Sequence, residues 1–339
     1  MPSLKFPTQV ARDVLAYLAQ GPADIDFKVS LNDNELSLDE IRRFVEESRH
    51  LKKTKTVVLS GGEPFLRRDI VDICGFFSKE LPNSSIGILT NGMNTDDIIA
   101  KTKNILDRFH AKSLWLGSSL DGLGRQHDMI RGADGAFFAF NRTIERCKKE
   151  LPGIKLSATF TLTPYNIDQL IPVREFAEKQ GLDFLVQFVV PKEAREKFIW
   201  TESKLKSVES GVDRIIKDLI SDKDPLQIIK SLRNMDIDNG LVSQLYYWSH
   251  LVQYQHKPQR FFKKCVAGSR FAMFNPFGDL FFCPILKDRL VGNIREEKFD
   301  NLWMSEKAQE LRNFIEEGAC HCWLVCIVFP LLEKALNNR

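Results

Sequence analysis

The first 73 residues of this 339-residue chain contain no cysteine, although seven occur in all. Cys74 and Cys147 stand alone inside helical patterns and read as inert core thiols, because free cysteine is among the most buried residue types. The other five, Cys265, Cys283, Cys320, Cys322 and Cys326, fall within the last 75 residues. Long apolar runs are lacking too. The longest, WLVCIVFPLL from Trp323, is about half the ~20 residues that a membrane span needs. Residues 1–30 have no basic region followed by an apolar core, so no secretory signal is read. Charge of one sign is not in excess: 48 basic residues are interleaved with 45 acidic ones, for a net charge of +3. That balance gives no general drive toward nucleic acid or a membrane surface. The expectation is a cytoplasmic protein, in which clustered cysteines point to metal or redox chemistry more than to disulfides. No low-complexity segment occurs, and no internal repeat beyond a strand–helix unit.

What is present is alternation. Apolar, strand-like runs occur at 54–60, 85–90, 113–120, 155–162 and 183–190. Helical patterns lie between them, the last ending at Gly181 with an ordinary C-terminal stop. Near-continuous apolar strands alternating with helices predict a parallel sheet with helical crossovers. Five units at this spacing point to a partial (β/α) barrel or a doubly wound sheet. Both architectures bind ligands at the carboxyl ends of their strands. Residues 192–260 read as charged and helical. From Phe261 the chain turns to aromatics, glycines and cysteines, in short strands with a hairpin near Pro276–Asp279. The aromatics here, such as Phe271, Phe274 and Phe282, read as pocket lining or as the core of a small domain.

Three strand ends carry candidate chemistry. Gly61-Gly62-Glu63-Pro64 follows the first run. Glycine lets backbone approach a ligand closely, and Glu63 adds a carboxylate suited to an ammonium. The same four residues also make an ordinary strand-to-helix turn. Ser119 and Asp121 follow the third run, pointing the same way by two-residue periodicity, with Arg131 shortly after. Asn91, in Thr90-Asn91-Gly92, ends the second run, where alone it is a turn signal. In the C-terminal part Cys265 is followed by twelve residues, Gly278, four residues and Cys283. A hairpin with one thiol on each arm, joined by Cys320, Cys322 and Cys326, can gather four thiolates around an iron–sulfur cluster or a structural zinc. His321 reads as a surface residue.

These motifs together resemble a radical SAM protein with a C-terminal SPASM- or twitch-type auxiliary cluster domain. GGEPF at 61–65, TNG at 90–92, SSLDG at 118–122 and the 127–137 run match in family order. The two-cysteine hairpin, GNI at 292–294, Trp303 and Cys322-x3-Cys326 continue the match, which covers about residues 35–335. The resemblance implies an α/β fold: a partial (β/α)6 TIM-like barrel with a small Cys-rich C-terminal α+β domain. It implies domains at 1–34 (an N-terminal helix and the remnant of the first unit), 35–191, 192–260 and 261–339. It implies S-adenosylmethionine, with its amino group on Gly61–Pro64, its carboxylate on Ser119 and Arg131, and further contacts at Asn91 and Asp121. A reduced [4Fe–4S] cluster would cleave it to a radical that abstracts a substrate hydrogen. Cys265, Cys283, Cys322 and Cys326, with Cys320 as competitor, would hold one auxiliary [4Fe–4S] cluster. The implied partners are a substrate of peptide or cofactor-precursor type and, in an active enzyme, an electron donor such as flavodoxin or ferredoxin.

The family's CxxxCxxC loop, which ligates the cleaving cluster, is missing. About 15–20 residues, first strand included, are absent between Phe27 and Ser30 on the usual length of a βα unit. The amphipathic pattern at 7–20 is then expected to cap the sheet edge, and an uncapped edge is a liability. Three readings stay open: a shortened form of a radical SAM oxidoreductase, a non-catalytic member acting as a scaffold, or a zinc ribbon on an α/β binding domain.

Overall fold

The computed structural model describes residues 34–109, 113–188, 198–234, 240–262 and 265–328. The helix expected at 7–20 and the remnant of the first unit lie outside them. Five parallel strands form one sheet in chain order: β1 (Thr56–Leu59), β2 (Ser85–Thr90), β3 (Leu114–Ser119), β4 (Lys155–Leu162) and β5 (Asp183–Phe188). Among the described residues β1 is one edge and β5 the other. The helices are α1 (Leu38–Glu46), α2 (Ile70–Glu80), α3 (Thr95–Phe109), α4 (Arg125–Arg131), α5 (Ala136–Glu150), α6 (Leu170–Lys179), α7 (Glu202–Ile220), α8 (Pro225–Asn234) and α9 (Gly240–His256).

Strand alternation divides the sheet into two unlike faces. Ile86, Ile88, Leu114, Leu116, Leu156, Ala158, Phe160 and Leu162 point one way, into the core shared with the helices. The other face begins with Val58 and Leu89, which are exposed, and the half-buried Trp115. It continues through Gly117, Ser157, Ser119 and Thr159, which the strand register brings side by side. Gly87 and Gly117 are on this face for lack of room. A Cβ on Gly87 would lie 2.1 Å from the Trp115 ring, and one on Gly117 2.6 Å from Leu89. The open face thus has an apolar floor and a hydroxyl-rich upper end, at the carboxyl ends of the strands.

The C-terminal module is a three-stranded antiparallel sheet, β6 (Met273–Phe274), β7 (Asp279–Phe281) and β8 (Gly292–Asn293), followed by α10 (Phe299–Met304) and α11 (Glu306–Glu316). The hairpin expected near Pro276–Asp279 joins β6 to β7. Asn275 Oδ1 accepts from the amides of Phe277 and Asp279, and Gly278 takes the left-handed conformation (φ 91°) that closes the turn.

Helix α1 ties the two parts together. Ser37 and Glu40 close a capping box at its start. Val45 enters the main core and Leu36 the C-terminal one, while Ile41 and Phe44 pack against both. Arg295 forks onto Glu40 at 2.7 and 3.1 Å and donates to the Asn34 carbonyl at 2.8 Å. Ser48 Oγ donates to Asp300 from the main-core side. Among the described residues no helix is long and apolar enough to cross a membrane.

Candidate cofactor and cluster sites

At the end of β1 the chain must turn sharply, and Gly61 does so at φ 134°. Pro64 opens a 3-10 turn through Leu66, capped by the Glu63 carboxylate, which accepts from the Phe65 amide at 3.1 Å. The same carboxylate accepts from the Thr90 hydroxyl and, at 2.7 Å, from the Asn91 amide. Glu63 is therefore buried and spent on its own chain, joining the ends of β1 and β2. Burial raises its pKa against the pull of these donors. The Asn91 side chain folds back to accept from Met93 N. Lys101 on α3 pins the turn from outside, donating to the Phe65 carbonyl at 2.6 Å. Lys101 carries no motif of its own, and sequence reasoning missed it, as it missed the bond from Thr90 to Glu63.

At the end of β3, Ser119 lies half-buried on the open face, and Asp121 is wholly buried. Asp121 Oδ1 accepts from the Thr161 amide at 2.8 Å, and Oδ2 pairs with Arg131 Nη2 at 2.6 Å. The structure thus brings Asp121 and Arg131 together. His127 accepts at Nδ1 from the Asp121 amide, and burial pushes its pKa down to about 4. Several buried polar atoms around these strand ends have no hydrogen-bond partner: Ser60 Oγ, Ser118 Oγ, Ser157 Oγ and Arg131 Nε. Such groups are expensive when left alone. Ser60 ends β1, Ser157 lies on the open face, and Ser118 turns by alternation to the opposite face from Ser119.

In the C-terminal module the five thiols meet. Cys265, Cys283, Cys320 and Cys322 line one cavity, otherwise walled largely by Phe262, Ala267, Ile285, Leu286 and Ile315. Cys326 packs beside them. Burial pushes the Cys283 thiol up to about 12, and the thiols of Cys326, Cys265 and Cys320 add to the rise. Burial likewise raises Cys322 well above the ordinary thiol range, with Cys283, Cys326 and Cys265 as neighbours. Cys326 is pushed up to about 12 by burial and by Cys265. Two amides are aimed at sulfur: Ala267 N at Cys265 (3.5 Å) and Ile285 N at Cys283 (3.3 Å). Tyr247 on α9, its hydroxyl on the Val186 carbonyl of β5, is raised by burial and then by Cys326 and Cys322. Trp323 stacks on Tyr247 at 5.8 Å. The cysteine segment is thus keyed into the edge of the sheet.

Two family models match the chain. Residues 23–177 match the radical SAM superfamily, and residues 265–323 match SPASM, an iron–sulfur cluster-binding domain. The chain carries a radical SAM domain and a SPASM domain. Among curated relatives, the AdoMet-dependent heme synthase of Methanosarcina barkeri is 24% identical over 311 residues, 86% of this chain and 80% of that protein. The Fe-coproporphyrin III synthase of the same organism is 25% identical over 201 residues, 57% of this chain but 45% of its own length. Pre-heme d1 synthase of Dinoroseobacter shibae is 28% identical over 48% of this chain and 36% of its own. Among solved structures, SuiB of Streptococcus suis bound to the precursor peptide SuiA superposes with a TM-score of 0.56 at 15% identity. That match covers 84% of this chain and 61% of SuiB, and it shows the shared fold. The cofactors of the two matched domains are S-adenosylmethionine and [4Fe–4S] clusters.

The chain fits these groups unequally. Its unpartnered Ser60 and Arg131 atoms suit a polar ligand at the strand ends. The C-terminal thiols suit a cluster. A single zinc at ~2.3 Å from each sulfur needs its thiolates about 3.8 Å apart. Among the described residues no three His, Cys, Asp or Glu side chains are arranged to hold one ion. A cluster takes each sulfur on a separate iron and so accepts a wider ring. The cleaving cluster does not fit. The remaining thiols, Cys74 in α2 and Cys147 in α5, are fully buried in helices, and burial pushes both up to about 12.

Proposed function

We propose that the chain is the S-adenosylmethionine- and cluster-binding frame of a radical SAM maturase whose substrate is a cofactor precursor of porphyrin type. It carries one auxiliary [4Fe–4S] cluster and has no ligands of its own for the cluster that cleaves S-adenosylmethionine. The meeting of four C-terminal thiols in one cavity, with Cys326 beside them, carries this reading. When bound, an auxiliary cluster exchanges single electrons. The chain's own residues do the holding. Four of Cys265, Cys283, Cys320, Cys322 and Cys326 supply thiolates, and the Ala267 and Ile285 amides steady two of the sulfurs.

At the strand ends, the Gly61–Pro64 turn offers backbone groups to an amino group, and Ser119 and Arg131 serve a carboxylate. Glu63 acts behind the turn, by fixing its shape. Asp121 orients Arg131, and Asn91 completes the β2 end of the pocket. The heme synthase relative supports a porphyrin-type substrate by its extent, since its match spans most of both chains. The apolar floor of Trp115, Leu89 and Val58 suits a flat, greasy ring.

The lack of thiols at the strand ends favours a second reading, a non-catalytic scaffold that keeps the C-terminal cluster alone. Anaerobic reconstitution with iron and sulfide, followed by calorimetric titration with S-adenosylmethionine, separates the two. The proposal expects about four irons per chain, cofactor binding that Arg131→Ala weakens at least tenfold, and no deoxyadenosine formed. Four irons with no cofactor binding would leave only the scaffold. Full iron retention in a Cys283→Ala variant would sink the cluster assignment. Coproporphyrin III binding, read as quenching of Trp115 fluorescence and lost in Trp115→Leu, tests the substrate class.

A further inference from the structure

We infer that Arg260 is the residue that sets the reduction potential of the C-terminal cluster. The inference rests on the cluster reading above and adds to it a residue outside the cysteine motifs. Arg260 lines the same cavity as Cys265, Cys283, Cys320 and Cys322. Its Nη2 donates to the Cys320 carbonyl at 3.0 Å and reaches the Cys320 sulfur at 3.5 Å. Its guanidinium carbon lies 5.8 Å from the centre of the Phe262 ring. Its Nε is buried with no hydrogen-bond partner, and no carboxylate among the described residues pairs with it.

The Arg260 side chain is half-buried in a largely apolar wall, and among the described residues no carboxylate faces it, an arrangement that an anion in the cavity would favour. Other arginines held within the fold are answered by acids. Arg131 has Asp121, Arg67 has Glu35 and Asp69, and Arg295 has Glu40. Arg260 is answered only by a carbonyl and a thiol. A cluster on four thiolates is anionic in both oxidation states and gains one further negative charge when it takes up an electron. A fixed cation beside it therefore favours the reduced form, and the weak screening of an apolar cavity enlarges the effect. The N–H···S contact to Cys320 acts in the same direction, by drawing charge from a sulfur. Arginine serves both ends at once, its fork spanning the carbonyl and the thiol, where a lysine ammonium would be a point charge.

The test is a redox titration of the reconstituted full chain with dithionite, followed by electron paramagnetic resonance, alongside iron and sulfide analysis. Arg260→Gln is expected to keep its iron. Poised at the wild-type midpoint, its ratio of reduced to oxidised cluster should fall about tenfold, equivalent to 59 mV for one electron. Arg260→Lys keeps the charge and loses the fork, so its midpoint should lie between the two. An iron-loaded glutamine variant with the wild-type midpoint overturns the inference. If that variant loses iron, the lysine variant carries the measurement: a midpoint lowered by clearly less than 59 mV upholds the role of charge, and a fall of 59 mV or more overturns it. Loss of iron from both assigns Arg260 to holding the Cys320 turn, and the inference fails. A wild-type chain that takes up no iron overturns the cluster reading itself, a different result from an unchanged potential.

Discussion

The Glu63 carboxylate is filled by donors from Phe65, Thr90 and Asn91, the last two 27 and 28 residues away. Glu63→Gln would aim a donor at donors, and it should destabilise the chain by about 1–3 kcal/mol in urea unfolding, well beyond a surface Glu→Gln change. From its place after two glycines the carboxylate reads as a partner for an ammonium, because a local motif cannot show that a side chain is already taken by a distant strand. His127 gives a second prediction. Its folded pKa of about 4, set by burial, lies below the unfolded value of about 6.5. Between those limits the unfolded chain binds a proton that the folded chain does not. Stability is therefore lost as pH falls through that window, by roughly 3 kcal/mol in full. His127→Asn keeps an acceptor for the Asp121 amide and cannot titrate, so its unfolding midpoint should change less between pH 7 and pH 5. An unchanged pH slope would remove His127 from the account.

At the level of elements, the strand–helix alternation was plain in the sequence because buried parallel strands are apolar on both faces and their crossovers repeat at a steady length. All five strands form where the runs lie, and they pair in chain order. The unlike character of the two faces was less plain. A glycine inside a strand ordinarily weakens it, yet Gly87 is the space that the Trp115 ring occupies. Gly87→Ala should therefore destabilise the protein by about 1–3 kcal/mol through overpacking. Combined with Trp115→Ala, the penalty of the added methyl should largely vanish. Thermal unfolding of the four members of that cycle measures it, and simple additivity would show that the ring does not fill the space. Likewise the thiols were legible by spacing. Arg260 was not, because one arginine in a charged stretch carries no pattern.

For the whole molecule, no sequence pattern marks α1 as belonging in part to the C-terminal module. Its partners there, such as Phe274 and Arg295, lie more than 200 residues away, and pattern reading sees only neighbours. Arg295→Ala would remove the fork from Glu40 and the bond to the Asn34 carbonyl. Both side chains are partly exposed, so the global loss should be no more than about 1 kcal/mol. The local effect should be larger, with amides of residues 36–45 exchanging faster by hydrogen-exchange mass spectrometry while the β3 and β4 amides keep their protection. Equal acceleration everywhere would mean that the two cores open as one unit.

That long tie also orders events at the ribosome. Ser48 meets Asp300 across 252 positions and Glu40 meets Arg295 across 255. At roughly 5–20 residues per second, the greasy side of α1 waits about ten to fifty seconds for the surface it will cover. The sheet can condense in the interval, since each strand pairs with the one made just before it. The first helix described is therefore among the last to reach its final place, and a nascent chain halted before codon 270 would leave Leu36 and one side of Phe44 open to chaperones, since Pro276 and Phe274 would not yet exist.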